Sequence, residues 1–168
     1  MKKLTLLLII AFFATALNSP AQILNKKLQS MSLKDLNGKT VDLLNYTDST
    51  KITVICIWAT YCPPCLKQVT NINNLLDEWM ENYHMKFIAI SVNDARTVKN
   101  VKPFVKGKGW TFDVLLDPNA DTKRTFNFVM EPYCLLIDKD GTIVYTHLGY
   151  VEGDELLLEK EIQKIVKK

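Results

Sequence analysis

The chain carries two kinds of hydrophobic pattern, one typical of buried strands and one typical of an amphipathic helix. Three short apolar runs, at 51–58, 85–92 and 133–138, predict strands, and the first of them is rich in β-branched residues. Between the first two runs, apolar side chains recur at helical spacing and predict a helix from Cys62 to about Tyr83. The apolar face of this helix consists of Val69, Ile72, Leu75, Leu76 and Trp79.

Turn signals and helix-start residues place the remaining elements around this unit. Asn37-Gly38 predicts a hairpin, and Asp94 and Asp154 predict the starts of two further helices. The additional elements are hairpin strands at 29–33 and 39–43, a helix from Asp94 to about Lys106, an extended segment at 111–116, a short helix at 121–126, a second hairpin spanning 133–148 and a final helix from Asp154. The order predicts an α/β domain with a central mixed β-sheet flanked by helices and an N-terminal β-hairpin extension.

Residues 1–21 have the pattern of a secretory signal peptide. A basic start is followed by an almost wholly apolar stretch from Leu4 to Leu17 and by small residues at 19–21. We predict cleavage before Gln22 and a mature domain at 22–168, located in the periplasm or another extracytoplasmic compartment. An uncleaved anchor is less favoured, because a spanning helix needs about 20 apolar residues.

The charge of the chain argues against nucleic acid as a partner. The chain has 21 lysines and arginines against 18 acidic residues, and two of the lysines lie in the predicted signal peptide. The mature domain is therefore close to neutral, without a basic block that would indicate nucleic acid. Its length is that of one domain, and we expect a monomer.

The segment that carries chemistry is Trp58-Ala59-Thr60-Tyr61-Cys62-Pro63-Pro64-Cys65, where the first buried strand meets the long helix. A cysteine at a helix N-cap faces unpaired N–H groups and the positive end of the helix dipole, which favour the thiolate. The thiolate is the nucleophile in disulfide exchange. We therefore expect a redox-active pair, with Cys62 activated at the helix tip and Cys65 one turn inside.

The two prolines of the motif bear on the direction of electron flow. Pro63 suits the first helical position, and Pro64 removes a second backbone donor that would have bonded the sulfur. A less stabilised thiolate makes the reduced form a better electron donor, since strong oxidants owe their potential to a stabilised reduced state. The motif thus favours a reductase, which outside the cytoplasm needs an electron donor such as a membrane protein.

A structural disulfide and half of a zinc site are the other interpretations of the pair. A bridge across so short a loop would constrain the unfolded chain little. A structural zinc site needs four ligands, generally as two close pairs. The other candidate ligands, Cys56, Cys134, His84 and His147, are single and scattered. Redox function without a metal or organic cofactor is the favoured interpretation.

On these residues, the chain resembles the thioredoxin-fold family, in particular the exported TlpA/ResA-like thiol–disulfide oxidoreductases. The resemblance rests on Trp58 to Cys65, on the hairpin around Asn37-Gly38-Lys39, on the strand end at 90–94 and on Pro132 to Gly141. It covers about residues 30 to 168. It implies a thioredoxin fold and an exchange in which Cys62 attacks a substrate disulfide and Cys65 resolves the mixed disulfide.

The same resemblance implies that Pro132 is a cis-proline that faces the cysteines. A cis bond would expose backbone groups of Glu131 for pairing with an extended substrate. The Glu131 side chain is expected either to act as a proton acceptor or charge filter, or to be an ordinary exposed acid at the rim. Trp58 and Tyr61 are expected both to pack around the helix start and to offer an apolar platform to a substrate.

Three positions depart from the family pattern. Gln68 stands where the family often carries a glutamate, Thr70 where it often carries a proline, and Cys56 where thioredoxins commonly hold a buried acid. An acid that accepts the proton of Cys65 is thus missing at two places. The resemblance implies that the strands of Cys56 and Cys134 are antiparallel neighbours, and we expect both residues to be small buried side chains. An auxiliary redox pair or inner disulfide is the less favoured alternative.

The leading function is an extracytoplasmic reductase of protein disulfides, serving cytochrome c maturation or envelope redox homeostasis. One alternative is a disulfide oxidase or isomerase. Another is a copper or metal chaperone that uses Cys62 and Cys65, for which Met130 is the one nearby additional ligand. A peroxidase is disfavoured, because the motif offers no activating threonine–arginine setting that we can identify.

Overall fold

The centre of the fold is β3 (Ile52–Trp58), a β-branched strand whose seven residues are all buried. Strand β4 (Met85–Ser91) runs parallel to it on one side, and β6 (Tyr133–Ile137) runs antiparallel on the other. The computed structural model describes residues 23–167. The predicted signal peptide and its cleavage position lie outside these residues.

The other main elements of the described residues are β1 (Ser32–Asp35), β2 (Thr40–Asp42), α1 (Leu43–Tyr46), α2 (Pro63–Tyr83), α3 (Val101–Lys108), β5 (Asp113–Leu116), α4 (Asp121–Thr125), β7 (Ile143–Leu148) and α5 (Asp154–Val166). The strands form one mixed sheet in the order β2-β1-β5-β4-β3-β6-β7. Strand β5 extends the parallel set beside β4, and the β1–β2 hairpin joins β5 in antiparallel orientation. The predicted mixed sheet with flanking helices and an N-terminal hairpin is confirmed.

Helix α2 is anchored by its apolar face and by hydrogen bonds to the C-terminal helix. Its side chains at Val69, Ile72 and Trp79 are buried, and α5 packs against it. The Tyr83 hydroxyl donates to Glu159 at 2.7 Å, and the Gln163 amide donates to Tyr83 at 2.9 Å. The helix that begins at the cysteine motif is therefore held firmly at its far end.

Two predicted helix starts are wrong in detail, for local reasons. The Asp94 carboxylate accepts hydrogen bonds from the backbone and hydroxyl of Thr97. This closes a turn, a short 3-10 helix follows, and α3 begins only at Val101. Asp154 is the first residue of α5 rather than its cap, and the N-cap is Gly153, which has a positive φ of 100°.

The N-terminal hairpin lies slightly further along the chain than predicted. Its first strand begins at Ser32 instead of residue 29 and ends at Asp35, whose side chain closes the turn. The Asp35 carboxylate accepts the backbone N–H groups of Asn37 and Lys39 at 2.8 and 2.9 Å. The short helix α1, which follows directly on β2, was not predicted. Among residues 23–167, none of the helices combines the length and apolar character that crossing a bilayer requires.

Candidate active site

The motif cysteines lie at the start of α2, directly after the loop that follows β3. Cys62 is the N-cap residue, and its sulfur accepts the backbone N–H of Cys65 at 3.3 Å. Pro63 and Pro64 occupy the first helical positions, where a missing N–H leaves no helix bond unmade. The two sulfurs form a disulfide. The predicted position of Cys62 at the helix tip is confirmed.

The two sulfurs differ in access. Cys62 retains 8% of its surface, whereas Cys65 is completely buried. Tyr61, Pro63 and Pro64, which surround Cys62 in the chain, are all exposed. A second protein that approaches the motif therefore meets the sulfur of Cys62 and not that of Cys65.

A buried asparagine holds the loop between β3 and α2. The side-chain carbonyl of Asn93 accepts the backbone N–H of Thr60 at 3.0 Å, and its amide donates to the Thr60 hydroxyl at 2.7 Å. The Ser91 hydroxyl donates to the same carbonyl at 2.9 Å. Sequence reasoning missed this contact. A signal was available in the sequence, because Asn93 follows the strand predicted next after the motif strand. In α/β sheets, functional groups gather just beyond the carboxyl ends of parallel strands.

The segment before β6 approaches the motif from the other side. The peptide bond between Glu131 and Pro132 is cis, as predicted. The carbonyl oxygen of Glu131 lies 4.0 Å from the sulfur of Cys62. The carbonyl of Pro132 accepts the N–H of Gly149 at 2.8 Å, so the loop after β7 supports this segment. Backbone groups of residue 131 thus line the site next to the accessible sulfur.

The carboxylate of Glu131 is neither free nor a fully exposed rim acid. It forms an ion pair with Lys123 at 2.7 Å, and its side chain is only 12% exposed. The backbone at Lys123 is held in place through the preceding residue, Thr122. The backbone N–H and hydroxyl of Thr122 both donate to the buried carboxylate of Asp117. Lys123 was not predicted as part of the site, since it precedes Glu131 by eight residues with no motif to connect them.

The two aromatic residues of the motif have different environments. Tyr61 is 58% exposed. Partial burial raises the pKa of its hydroxyl, and the neighbouring Glu131 carboxylate raises it further. Trp58 is completely buried and packs against Phe104 and Trp110, with ring centroids 5.9 and 5.3 Å away. The platform expectation is therefore wrong for Trp58, because α3 and the segment after it cover its ring.

Cys56 and Cys134 form a second disulfide, which corrects the interpretation of two free buried thiols. They lie directly opposite each other in the β3–β6 register, with Cα atoms 4.3 Å apart. This separation is that of a non-hydrogen-bonded antiparallel pair, in which facing side chains come closest. Both residues are buried. The bridge joins the strand that leads to the motif with the strand that follows the cis-proline.

Two further predicted residues lie at different depths. Gln68 is 4% exposed, one turn beyond Cys65 on α2, and its side-chain carbonyl oxygen has no hydrogen-bond partner among the described residues. Met130 is exposed beside the cis-proline segment, together with Val129. Within residues 23–167, no group of three or more histidine, cysteine or acidic side chains is arranged to hold a metal ion.

Comparison with known proteins places this geometry in a family. A family model described as AhpC/TSA matches residues 24–146. The chain belongs to this family. Over 142 residues it is 30% identical to the thiol-disulfide oxidoreductase ResA of Bacillus cereus (strain ZK / E33L), an alignment that covers 84% of this chain and 78% of the relative.

Solved structures agree with this assignment. An uncharacterized thioredoxin-like protein from Porphyromonas gingivalis is 37% identical, with a TM-score of 0.75 over 83% of this chain and 92% of that one. A putative thiol:disulfide interchange protein DsbE from Chlorobium tepidum is 25% identical, with a TM-score of 0.72 over 84% and 96%. The fold is thioredoxin-like, as the sequence resemblance implied, and the protein is a thiol–disulfide oxidoreductase.

Proposed function

We propose that this oxidoreductase is a reductase of protein disulfides that works outside the cytoplasm. Cys62 is its attacking sulfur and Cys65 its resolving sulfur. The observation that carries the proposal is the asymmetry of the pair, because only Cys62 combines surface access with the helix N-cap position. The N-cap position favours the thiolate form, which is the attacking species.

The reaction consists of two exchanges. The Cys62 thiolate attacks one sulfur of a substrate disulfide, the substrate bond breaks, and the other substrate sulfur leaves as a thiolate. Cys65 then loses its proton and attacks the sulfur of Cys62, which releases the second substrate sulfur and leaves the Cys62–Cys65 disulfide. Two electrons pass to the substrate, so a separate donor has to reduce the protein again.

The surroundings of Cys62 suit an extended polypeptide. The Glu131 carbonyl beside the sulfur offers a backbone acceptor, as in the pairing of an added strand. The exposed side chains of Tyr61, Val129 and Met130 provide apolar contacts near this carbonyl. The Lys123–Glu131 ion pair holds the segment before Pro132 and removes the carboxylate as a free base. We assign Glu131 a positioning and charge-filtering role rather than that of proton acceptor.

The direction of electron flow follows from the weak stabilisation of the Cys62 thiolate. Pro63 and Pro64 present no backbone N–H, and the sulfur receives its hydrogen bond from the N–H of Cys65. Because few hydrogen bonds stabilise the Cys62 thiolate, the reduced protein is less stable, and the Cys62–Cys65 couple is a stronger reductant. This observation supports reduction over oxidation or isomerisation.

The setting of the reaction is inferred from the N-terminal sequence. We propose that residues 1–21 direct export and are removed, and that the domain at 22–168 works as a monomer. Outside the cytoplasm it would receive electrons from a membrane protein. Its substrates would be protein disulfides, including those of apocytochrome c or other envelope proteins.

The midpoint potential of the Cys62–Cys65 couple tests the direction. The protein would be equilibrated in glutathione buffers, quenched with an alkylating reagent and read by intact mass. We expect a value near that of thioredoxin, about −270 mV, and a value near that of DsbA, about −120 mV, would instead indicate an oxidase. The variant in which Cys62 and Cys65 are both serine is the control, because it leaves only the buried Cys56–Cys134 bridge.

A further inference from the structure

We propose that the side-chain carbonyl of Gln68 accepts a hydrogen bond from the thiol of Cys65 in the reduced protein, and that this bond shifts the redox equilibrium of the motif toward the dithiol. The inference deepens the proposed function and rests on it, because it concerns the resolving sulfur of the same pair.

The first observation is an unmatched acceptor in the interior. Gln68 is 4% exposed, and its Oε1 atom is buried without a hydrogen-bond partner among residues 23–167. Buried side-chain polar atoms are normally paired, and each exception calls for an explanation. With the motif oxidised, the neighbouring Cys65 sulfur is part of a disulfide and carries no proton that it could donate.

The second observation is the position of Gln68 on the helix. It follows Cys65 by three residues in α2, and residues at this spacing are neighbours on one helix face. Helical side chains lean toward the N-terminus and lie over the preceding turn. A side chain at position 68 that follows this rule extends over the turn that contains Cys65.

Reduction creates the missing donor. When the disulfide takes up two electrons and two protons, each sulfur becomes a thiol, and the helix N-terminus favours loss of the proton from Cys62. Cys65 is completely buried, where burial disfavours a thiolate and keeps the proton on sulfur. Its S–H group then needs an acceptor, which the Gln68 carbonyl supplies. An amide cannot take the proton away, as a carboxylate could, so it stabilises the protonated Cys65.

The Glu131 carboxylate described at the site does not compete for this role. Glu131 is engaged by Lys123 at 2.7 Å, and its backbone carbonyl faces Cys62 rather than Cys65. The buried Asn93 is already bonded to Thr60 through both ends of its amide.

Infrared spectroscopy tests the bond directly. In Cys62→Ser, with the Cys56–Cys134 bridge intact, Cys65 is the one remaining thiol of the four cysteines. We expect its S–H stretching band to lie at lower frequency than in Cys62→Ser/Gln68→Met, where the acceptor is absent. Gln163→Met in the same background is the matched control, since Gln163 bonds Tyr83 at the far end of α2. Identical bands with and without Gln68 would overturn the proposal.

The redox equilibrium gives a second readout. In the otherwise wild-type protein, Gln68→Met should lower the equilibrium constant for reduction by glutathione about fivefold, the factor of one ordinary hydrogen bond, and Gln163→Met should leave it unchanged. A change of less than twofold in a folded Gln68→Met protein would refute the inference. A wild-type protein that does not exchange with glutathione at all would refute the proposed function instead.

A measurement on the wild-type chain covers the case in which Gln68→Met does not fold. The ¹³C shift of the Gln68 side-chain carbonyl should move downfield on reduction of the motif, while that of Gln163 stays fixed. An unmoved Gln68 signal would contradict the proposal without any substitution.

Discussion

Asn93 holds the motif loop in position from a neighbouring strand end. It is completely buried and bonds both the backbone and the hydroxyl of Thr60, two residues before Cys62. Because β3 and β4 are parallel, their carboxyl ends meet at this edge of the sheet. One side chain after β4 can therefore fix the loop after β3.

We predict that Asn93→Ala destabilises the protein by about 2–3 kcal/mol, because it leaves the partly buried Thr60 N–H and the fully buried Ser91 hydroxyl without their shared acceptor. Chemical denaturation followed by circular dichroism would measure this loss. The exposed Asn119, changed to alanine, is the control and should have an effect within about 0.5 kcal/mol. Equal losses for the two variants would show that Asn93 does not hold the loop.

At the residue scale, local rules predicted some positions well and others poorly. The place of Cys62 followed from capping chemistry, and the cis bond before Pro132 from a family pattern, and the structure shows both. The burial of Trp58 depends on Phe104 and Trp110, which lie far along the chain. No local pattern carries that information, so the packing role expected of Trp58 was right and the substrate-platform role was wrong.

At the scale of elements, the Cys56–Cys134 bridge fixes β3 against β6. The apolar runs identified both strands, and the family resemblance implied that they are antiparallel neighbours. Neither fixes their register, and a slip of one residue would have turned the two sulfurs to opposite faces. The bridge was therefore underestimated from sequence. In the structure it locks the relative position of the two halves of the active site.

Removing this bridge should lower stability far more than removing the motif disulfide. The bridge spans 78 residues, the motif disulfide 3. For loops of these lengths the chain-entropy model gives about 4.5 kcal/mol to the larger loop and about 1.6 kcal/mol to the smaller. We predict a corresponding loss in Cys56→Ala/Cys134→Ala, measured by denaturant unfolding, with Cys62→Ala/Cys65→Ala as the matched control. A double variant at Cys56 and Cys134 no less stable than its control would contradict the prediction.

At the scale of the whole molecule, the sheet gathers the site from segments far apart in sequence. Four segments meet at one edge of the sheet: residues 58–65, 91–93, 123–132 and the loop at Gly149. The predicted order of strands and helices was sufficient for the architecture, because alternating strands and helices allow few arrangements. The pairings between distant segments, such as Lys123 with Glu131 or Asn93 with Thr60, depend on side-chain geometry that hydrophobic pattern does not encode.

The central claim is that Cys62 attacks and Cys65 resolves. The most direct measurement is intact mass spectrometry of Cys65→Ser and Cys62→Ser, each reduced at the motif and then mixed with insulin as the disulfide substrate. We predict that Cys65→Ser accumulates a stable mixed disulfide at Cys62, because the resolving sulfur is absent. Cys62→Ser should form almost no mixed disulfide, because the remaining motif sulfur, that of Cys65, is completely buried. Equal adducts in the two variants, or an adduct at Cys65 alone, would contradict the claim.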